Sequence, residues 1–368
     1  MKIIFDNIIY SLQKSGGISV LWTELLRNIW HNKAFQSSVI EFKNAEKNIF
    51  YSSLNLDNFK RKYYNKDTRI ERYKNPKFGI NEKYIFCSSY YRYSKDKKAV
   101  NITIVHDFTY EYYGKGIAQK IHSYQKNKAI QNSDGIICIS ENTKKDVMKF
   151  VPNVDEKKIR VIHNGVSDDF FKINEKINLS LVTKNIEFLN EKKIVLFIGS
   201  RASYKNFDIT VKAISALKDE TFHFIIVGAE LTKKERDFVD EFLKENQYLV
   251  LTGLSNKELN ILYNLSFVLV YPSSYEGFGI PILESMKAGL PVICLNRSSI
   301  PEVAGIAGVY IEKTSPEAIQ EKILALCDEN YRNSIIENGY IQSSYFSWNK
   351  TMEEYIHFFE KTYNVINK

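Results

Sequence analysis

The sequence predicts an α/β protein with two doubly wound, mainly parallel sheets. Three observations carry this. Short runs of β-branched and aromatic residues alternate with stretches of helical period, the pattern of parallel strands joined by crossover helices. At 368 residues the chain exceeds what one core usually holds, which points to two domains. The alternation also starts afresh beyond a polar, charged stretch from Phe170 to Lys192, read here as the linker. The expected domains are 1–170 and 180–345.

In the first half, Lys2–Phe5 reads as a strand and Ser15-Gly16-Gly17 as a turn. Ile18 to Trp30 reads as a helix with Trp22, Leu25, Leu26 and Ile29 on one face. Asn101–Val105 and Gly135–Ser140 read as buried strands. Ser140 and Thr143 suit the capped start of a helix. Val161 to Gly165 ends a strand in an Asn-Gly turn. In the second half the strands are Ile194–Ile198, Phe222–Val227, Leu249–Leu251, Phe267–Tyr271 and Val292–Leu295, with a last one entered through Gly305 to Tyr310. Phe207–Ala216, Asn256–Asn264 and Ile280–Ala288 read as helices.

The formal net charge is +8. The excess concentrates in Lys60 to Lys98, with thirteen Lys or Arg against four acidic residues, interleaved with tyrosines. Such a stretch suits anionic lipid headgroups or a diphosphate-bearing ligand; a solvated loop is the other reading. Cys87, Cys138, Cys294 and Cys327 lack metal-ligand spacing, so reduced thiols and a cytoplasmic location are expected. Asp6 interrupts the apolar start, unlike a secretory leader, and no segment supplies about 18 consecutive apolar residues for a membrane span.

The segment richest in chemistry is Tyr275-Glu276-Gly277-Phe278-Gly279-Ile280-Pro281-Ile282-Leu283-Glu284. A strand delivers the chain to a glycine loop, and a helix starts near Ile280 with Pro281 in its first turn. A glycine loop before a helix N-terminus is an anion site. Carboxylates make poor phosphate partners, so Glu276 and Glu284 suit hydroxyl groups beside that anion. Phe197 to Asn206 adds Arg201 and Lys205 after a strand end, where two cations would neutralise a diphosphate. Gly16 and Gly17 open a helix, as a tight turn or as a place where backbone meets a ligand. His106-Asp107 closes the strand Asn101–Val105. His106 is either a donor to a ligand or a core histidine held by Asp107. Leu254 follows Thr252-Gly253 at a strand end, as a ligand contact or a plain turn before a helix capped by Ser255.

These segments resemble, in order and over nearly the whole chain, the family 4 retaining glycosyltransferases, which have the GT-B fold of two Rossmann-like domains facing across a cleft. Also matching are Ile137 to Thr143, Val161 to Val166, Ile226-Val227-Gly228 and Ser298 to Val303. The resemblance implies transfer of a hexose-type sugar from a nucleotide-diphosphate sugar to a glycan or lipid-linked saccharide. It implies that Arg201 and Lys205 hold the diphosphate, although Arg-x-x-x-Lys is one residue shorter than the common spacing. It puts Glu284 on the ribose, Glu276 and His106 on the transferred sugar, and Gly17 near the donor phosphates. Leu254 would lie at the base, with Gly277, Phe278, Gly279 and Ile280 lining the donor loop. It also implies that a final helix, within 349–368, packs on the first domain. Ser298 to Glu302 resembles members that use GDP-mannose.

No Asp-x-Asp pair, Walker loop or His-Glu-x-x-His occurs, so no metal and no cofactor is expected. The rivals are a non-catalytic polyanion-binding protein and a sugar phosphorylase or sucrose-type enzyme on the same fold. No nucleic-acid motif is present, and nucleic acid is not expected as a partner. Peripheral contact with an anionic membrane is.

Overall fold

The computed structural model describes every residue except 31, 55, 57, 58, 65, 66, 184–188, 190, 191, 367 and 368. The chain divides into two compact units. Unit 1 combines Met1–Gly165 with Trp348–Lys368, and unit 2 is Val166–Ser347. The change of unit therefore falls at Gly165/Val166, ahead of the stretch read as linker. The cause is local. The backbone N–H groups of Phe171 and Ile173 donate to the Asn260 and Asn264 side chains at 3.1 and 2.8 Å, anchoring this polar segment in unit 2. The part of the linker reading at 184–188, 190 and 191 lies outside the described residues.

Among the described residues, unit 1 holds seven strands: β1 (Lys2–Asp6), β2 (Gln36–Phe42), β3 (Lys60–Tyr64), β4 (Tyr84–Ser88), β5 (Ala99–Val105), β6 (Gly135–Cys138) and β7 (Ile159–Val161). All pairings are parallel, in the order β3-β2-β1-β4-β5-β6-β7. Strands β4 and β5 are buried along their whole length, as in a sheet covered on both faces. Strand β3 is the edge, and its exposed Lys60, Arg61 and Lys62 discourage a further strand from adding there. The basic stretch Lys60–Lys98 is thus not one loop: it contains an edge strand, a helical turn at Thr68–Glu71 and the buried strand β4. Tyr84 and Tyr91 are core residues.

That stretch is tied to the sheet by a buried ion pair. Arg92 Nη1 lies 2.8 Å from Asp6 Oδ2 at the end of β1, with both side chains almost fully enclosed. Arg92 Nε donates to the Lys74 carbonyl at 2.8 Å. The helix Gly17–Trp30 docks through Trp22, edge-on to Phe5 at 5.7 Å, with its indole N–H donating to Asn7 Oδ1 at 2.8 Å. The helix Trp348–Val365 packs on the same sheet, with Phe359 6.4 Å from Phe5. A Cβ on Gly135 would stand 2.9 Å from Phe358, so glycine in β6 lets this helix lie close.

Unit 2 holds β8 (Lys193–Ile198), β9 (Phe222–Val227), β10 (Tyr248–Leu251), β11 (Val268–Tyr271), β12 (Val292–Leu295) and β13 (Gly308–Ile311). These pair in parallel in the order β10-β9-β8-β11-β12-β13. One core joins Val195 and Phe197 of β8 with Phe207, Val211, Phe224, Val270 and Ile293. In each sheet the strand order reverses beside the first strand, at β1/β4 and at β8/β11. In open α/β sheets, ligands bind beyond the carboxyl ends of the strands at such a reversal.

Candidate active site

In unit 2 the candidate residues collect at the carboxyl ends of β8 and β11. After β8 the chain passes Gly199, at φ 118°, into a 3₁₀ turn at Ser203–Lys205. This turn is stapled to the loop after β11. Ser274 N–H donates to the Tyr204 carbonyl at 2.8 Å. Asn206 Nδ2 donates to the Pro272 carbonyl at 2.7 Å and to Ser274 Oγ at 2.8 Å. Asn206 itself sits at φ 54°, a left-handed conformation that asparagine adopts more readily than most residues.

The staple places Lys205 against Glu276 as a largely buried ion pair. Lys205 Nζ also donates to the Tyr271 hydroxyl at 3.2 Å. Burial and the Glu276 charge push the Tyr271 phenol well above its usual range, so it stays protonated. The Glu276 backbone is clamped from the loop after β12. Ser298 Oγ accepts its N–H at 3.1 Å and donates to its carbonyl at 2.7 Å. Ser299 Oγ lies 2.9 Å from the carbonyls of both Glu276 and Phe278.

The helix Ile280–Lys287 starts directly after this loop, with Pro281 in its first turn and Gly279 at its cap. Gly279 has φ 108°, and a Cβ there would stand 3.2 Å from Ile282 Cδ1. The helix N-terminus gives the loop a positive end. Glu284 lies one turn further on, where Tyr263 OH donates to its Oε2 at 2.9 Å. An edge of this carboxyl reaches solvent, yet the dense surroundings raise it to about 7 through desolvation, with the Tyr263 hydrogen bond opposing. Phe278 is buried edge-on to Phe346 at 5.8 Å, so its contribution to the loop is backbone. Gly277 precedes it, and Ile280 follows Gly279 in the same segment.

Arg201 is turned another way. Its Nε donates to Glu235 Oε1 at 2.8 Å and its Nη2 to the Glu230 carbonyl at 2.8 Å. Glu235 also closes a capping box with Thr232 at the start of the helix Lys233–Phe242. The Arg201 hydrogen bond and the Thr232 contacts hold the Glu235 carboxyl down at about 2. Arg201 Nη1 is buried with no partner among the described residues. The structure therefore brings Lys205 to Glu276 but commits Arg201 to Glu235. Leu254 is partly exposed beyond β10, after Gly253 at φ 66°. Ser255 follows it and forms a capping box with Glu258.

In unit 1, His106 and Asp107 stand just past β5 and line a cavity of about 250 Å³ with Gln13, Arg72, Ser89, Tyr90, Tyr110 and His122. Burial holds the His106 imidazole down at about 4, helped by the Lys126 charge and opposed by Asp107, so the ring is neutral near pH 7. Asp107 does not simply hold that histidine: its Oδ1 accepts the Thr109 N–H at 2.9 Å. Lys126 is fully buried, 2.8 Å from the Glu111 carboxylate and 2.8 Å from the Asp107 carbonyl. At the Gly16-Gly17 turn, a Cβ on Gly16 would meet the Gln13 side chain at 3.1 Å, while Gly17 borders open space.

Sequence reading missed Tyr271 and Tyr263 and the roles of Asn206, Ser298 and Ser299. One available signal was position: Tyr271 ends β11, and the two serines follow β12, both at the carboxyl edge of the sheet. Among the described residues, no group of three His, Cys, Asp or Glu side chains is placed to hold a metal ion. No described helix is long and apolar enough to cross a membrane.

Residues 182–342 match the family model for glycosyl transferases group 1, and residues 81–170 match that for glycosyltransferase family 4. The chain is 35% identical over 159 residues to O-antigen chain mannosyltransferase B of Escherichia coli, covering 42% of each protein. It spans about half the length of the curated relatives it matches. Sucrose-phosphate synthase from Thermosynechococcus elongatus superposes with a TM-score of 0.76 at 14% identity, over 100% of both chains. HepE from Anabaena, solved with UDP and glucose, gives 0.72 at 15% identity over 97% of this chain and 98% of its own. At such identities the likeness is one of fold. With both sheets parallel and both family models matched, the chain belongs to the family 4, group 1 glycosyltransferases and has the GT-B fold.

Proposed function

We propose that this glycosyltransferase moves a hexose-type sugar, with retention, from a nucleotide-diphosphate sugar to a glycan or lipid-linked saccharide in bacterial surface polysaccharide synthesis. The observation that carries the reading is the Lys205–Glu276–Tyr271 cluster beside the N-terminus of the helix Ile280–Lys287. It sets a cation, a carboxylate and a helix end at one sheet reversal. Lys205 and the helix N–H groups neutralise the diphosphate, with Arg201 recruited from Glu235 when it binds. Glu276 accepts hydroxyls of the sugar, and Glu284 accepts those of the ribose. Gly17 and Leu254 complete the donor contacts, and His106, neutral in its cavity, donates to the sugar.

The glycosidic C–O bond to the diphosphate breaks, and the negative charge collects on the departing phosphate oxygen. The acceptor hydroxyl bonds to the same face of the anomeric carbon. Its proton passes to that phosphate oxygen, so no protein nucleophile is needed. Fixed positive charge does the work of a divalent ion, so full activity in a chelator is expected. The mannosyltransferase relative supports mannose as the sugar, and the resemblance at Ser298 to Glu302 favours GDP as its nucleotide. The reaction is cytoplasmic.

The test is transfer from a panel of nucleotide sugars. Lys205→Ala and Glu276→Ala should each lower kcat by about 100-fold or more, the scale of losing a preorganised charge-stabilising group. Near-wild-type rates in both variants refute the assignment.

A further inference from the structure

Among the described residues, a positive φ outside glycine occurs at Asn44, Asn153, Asn206, Lys218 and Ser298. Asparagine enters this region more readily than most residues. Lys218 stands exposed just past the helix Phe207–Ala216, where chains commonly turn left-handed to end a helix. Ser298, at φ 57°, has neither reason: it is a half-buried serine in the loop after β12. A conformation that costs a side chain free energy persists where its surroundings impose it, and such residues gather at functional sites.

The Ser298 hydroxyl grips one residue from both ends. Its Oγ accepts the Glu276 N–H at 3.1 Å and donates to the Glu276 carbonyl at 2.7 Å. Ser299 beside it stands at the N-cap of the helix Ile300–Ala304, yet its side chain makes no cap hydrogen bond. A serine there ordinarily caps its own helix. Its fully buried hydroxyl turns instead to the carbonyls of Glu276 and Phe278, each at 2.9 Å. From the other side, Asn206 at φ 54° holds Pro272 and Ser274. The loop after β11 is thus fastened to the loops after β8 and β12, the two strands that flank β11.

None of these bonds uses the Glu276 carboxylate. That group is held separately, by Lys205 and by the Tyr271 hydroxyl. When Lys205 turns to the diphosphate, as the proposed function requires, the ion pair opens while the grip of the serines does not depend on it. We infer that Ser298 is a positioning residue for sugar transfer. Its hydroxyl fixes the Glu276 main chain, so the carboxylate stays on the sugar once Lys205 has moved to the phosphates. The left-handed backbone is what sets that hydroxyl between the Glu276 N–H and carbonyl. The inference rests on the donor reading of Glu276 and Lys205 given above.

The experiment follows GDP release from GDP-mannose, or the matching pair for whichever nucleotide sugar of the panel is turned over. Binding of the free nucleoside diphosphate, by calorimetry, is the sugar-free control. Ser298→Gly keeps the left-handed backbone without steric cost and deletes the hydroxyl; Ser298→Ala deletes it and keeps the strain. Circular dichroism checks that each is folded. Both should lower kcat about tenfold or more, since a misplacement of about 1 Å costs up to about 100-fold. Nucleoside diphosphate affinity should stay within about twofold. In a chain that already carries Glu276→Ala, Ser298→Gly should slow the reaction no further. The carboxylate to be positioned is then gone, although the peptide groups that Ser298 grips remain. Wild-type kcat in either folded variant overturns the inference. So does an additive loss in the Glu276→Ala chain, or nucleotide affinity that falls in step with kcat, because the grip would then serve the loop alone. Turnover of no nucleotide sugar by the wild type, or near-wild-type turnover by Glu276→Ala, refutes the donor reading and this inference with it.

Discussion

Replacing Glu284 by Gln keeps the shape of the side chain and an acceptor for Tyr263 while removing one titration. The carboxyl of Glu284 titrates near 7 in the folded protein, against an ordinary value of 4.5, because its surroundings desolvate it. The folded chain therefore keeps a proton that the unfolded chain has released. Stability from this group is intact below pH 4.5 and is lost as pH rises toward 7, where the cost levels off. Moving the titration from 4.5 to about 7 corresponds to about 3 kcal/mol, and partial solvent access lowers that to about 1–3 kcal/mol. Glu284→Gln should thus be nearly neutral at pH 4.5 and stabilising at pH 8. About 2–4 °C of melting temperature accompanies each kcal/mol in a unit of this size. Thermal unfolding of both proteins across that range measures it. If Glu284 accepts ribose hydroxyls, those donors favour its ionised form, so nucleotide affinity in the wild type should rise as pH passes 7. The variant should bind weakly and without that pH dependence. A stability difference that does not change with pH would refute the desolvation argument, and undiminished nucleotide binding would refute the ribose assignment.

Further outcomes are expected elsewhere. Arg92→Met strands Asp6 in the core and should cost about 3–5 kcal/mol in urea unfolding, with Asp6→Asn in the same chain recovering part of it. Gly279→Ala must hold a left-handed backbone conformation and press on Ile282. It should cost about 1–3 kcal/mol and weaken nucleotide binding measured by calorimetry. Glu235→Gln loosens the hold on Arg201, so nucleotide binding should tighten if that arginine joins the diphosphate. A loss of affinity would mean that Glu235 positions Arg201 for the ligand.

Much of the donor unit was legible in sequence because its signals are local. Its strands are short apolar runs, and the loop at Glu276 announces itself through Gly277, Gly279 and Pro281. Strands β2, β3 and β4 escaped notice. Strand β3 reads Lys-Arg-Lys-Tyr-Tyr, a polar edge with nothing apolar to reveal it, and β4 lay inside a stretch dominated by charge. Clusters formed by distant residues were also hidden. The pairing of Lys205 with Glu276 depends on an asparagine staple between two loops, and Arg201 meets Glu235 across 34 residues of sequence. The unit boundary was misplaced because polarity suggested a linker where Asn260 and Asn264 anchor the segment instead.

The return of the helix Trp348–Val365 to unit 1 sets a timetable for synthesis. When the ribosome has made Gly165, the first sheet can form, but Phe5 and Gly135 still lack Phe359 and Phe358. The whole of unit 2 must be made before those rings arrive. At about 5–20 residues per second that is a wait of roughly 10–40 s. During it unit 2 is contiguous and free to fold, while the earlier unit exposes the apolar seat of its missing helix. A chaperone binding this nascent chain should therefore favour the part made first.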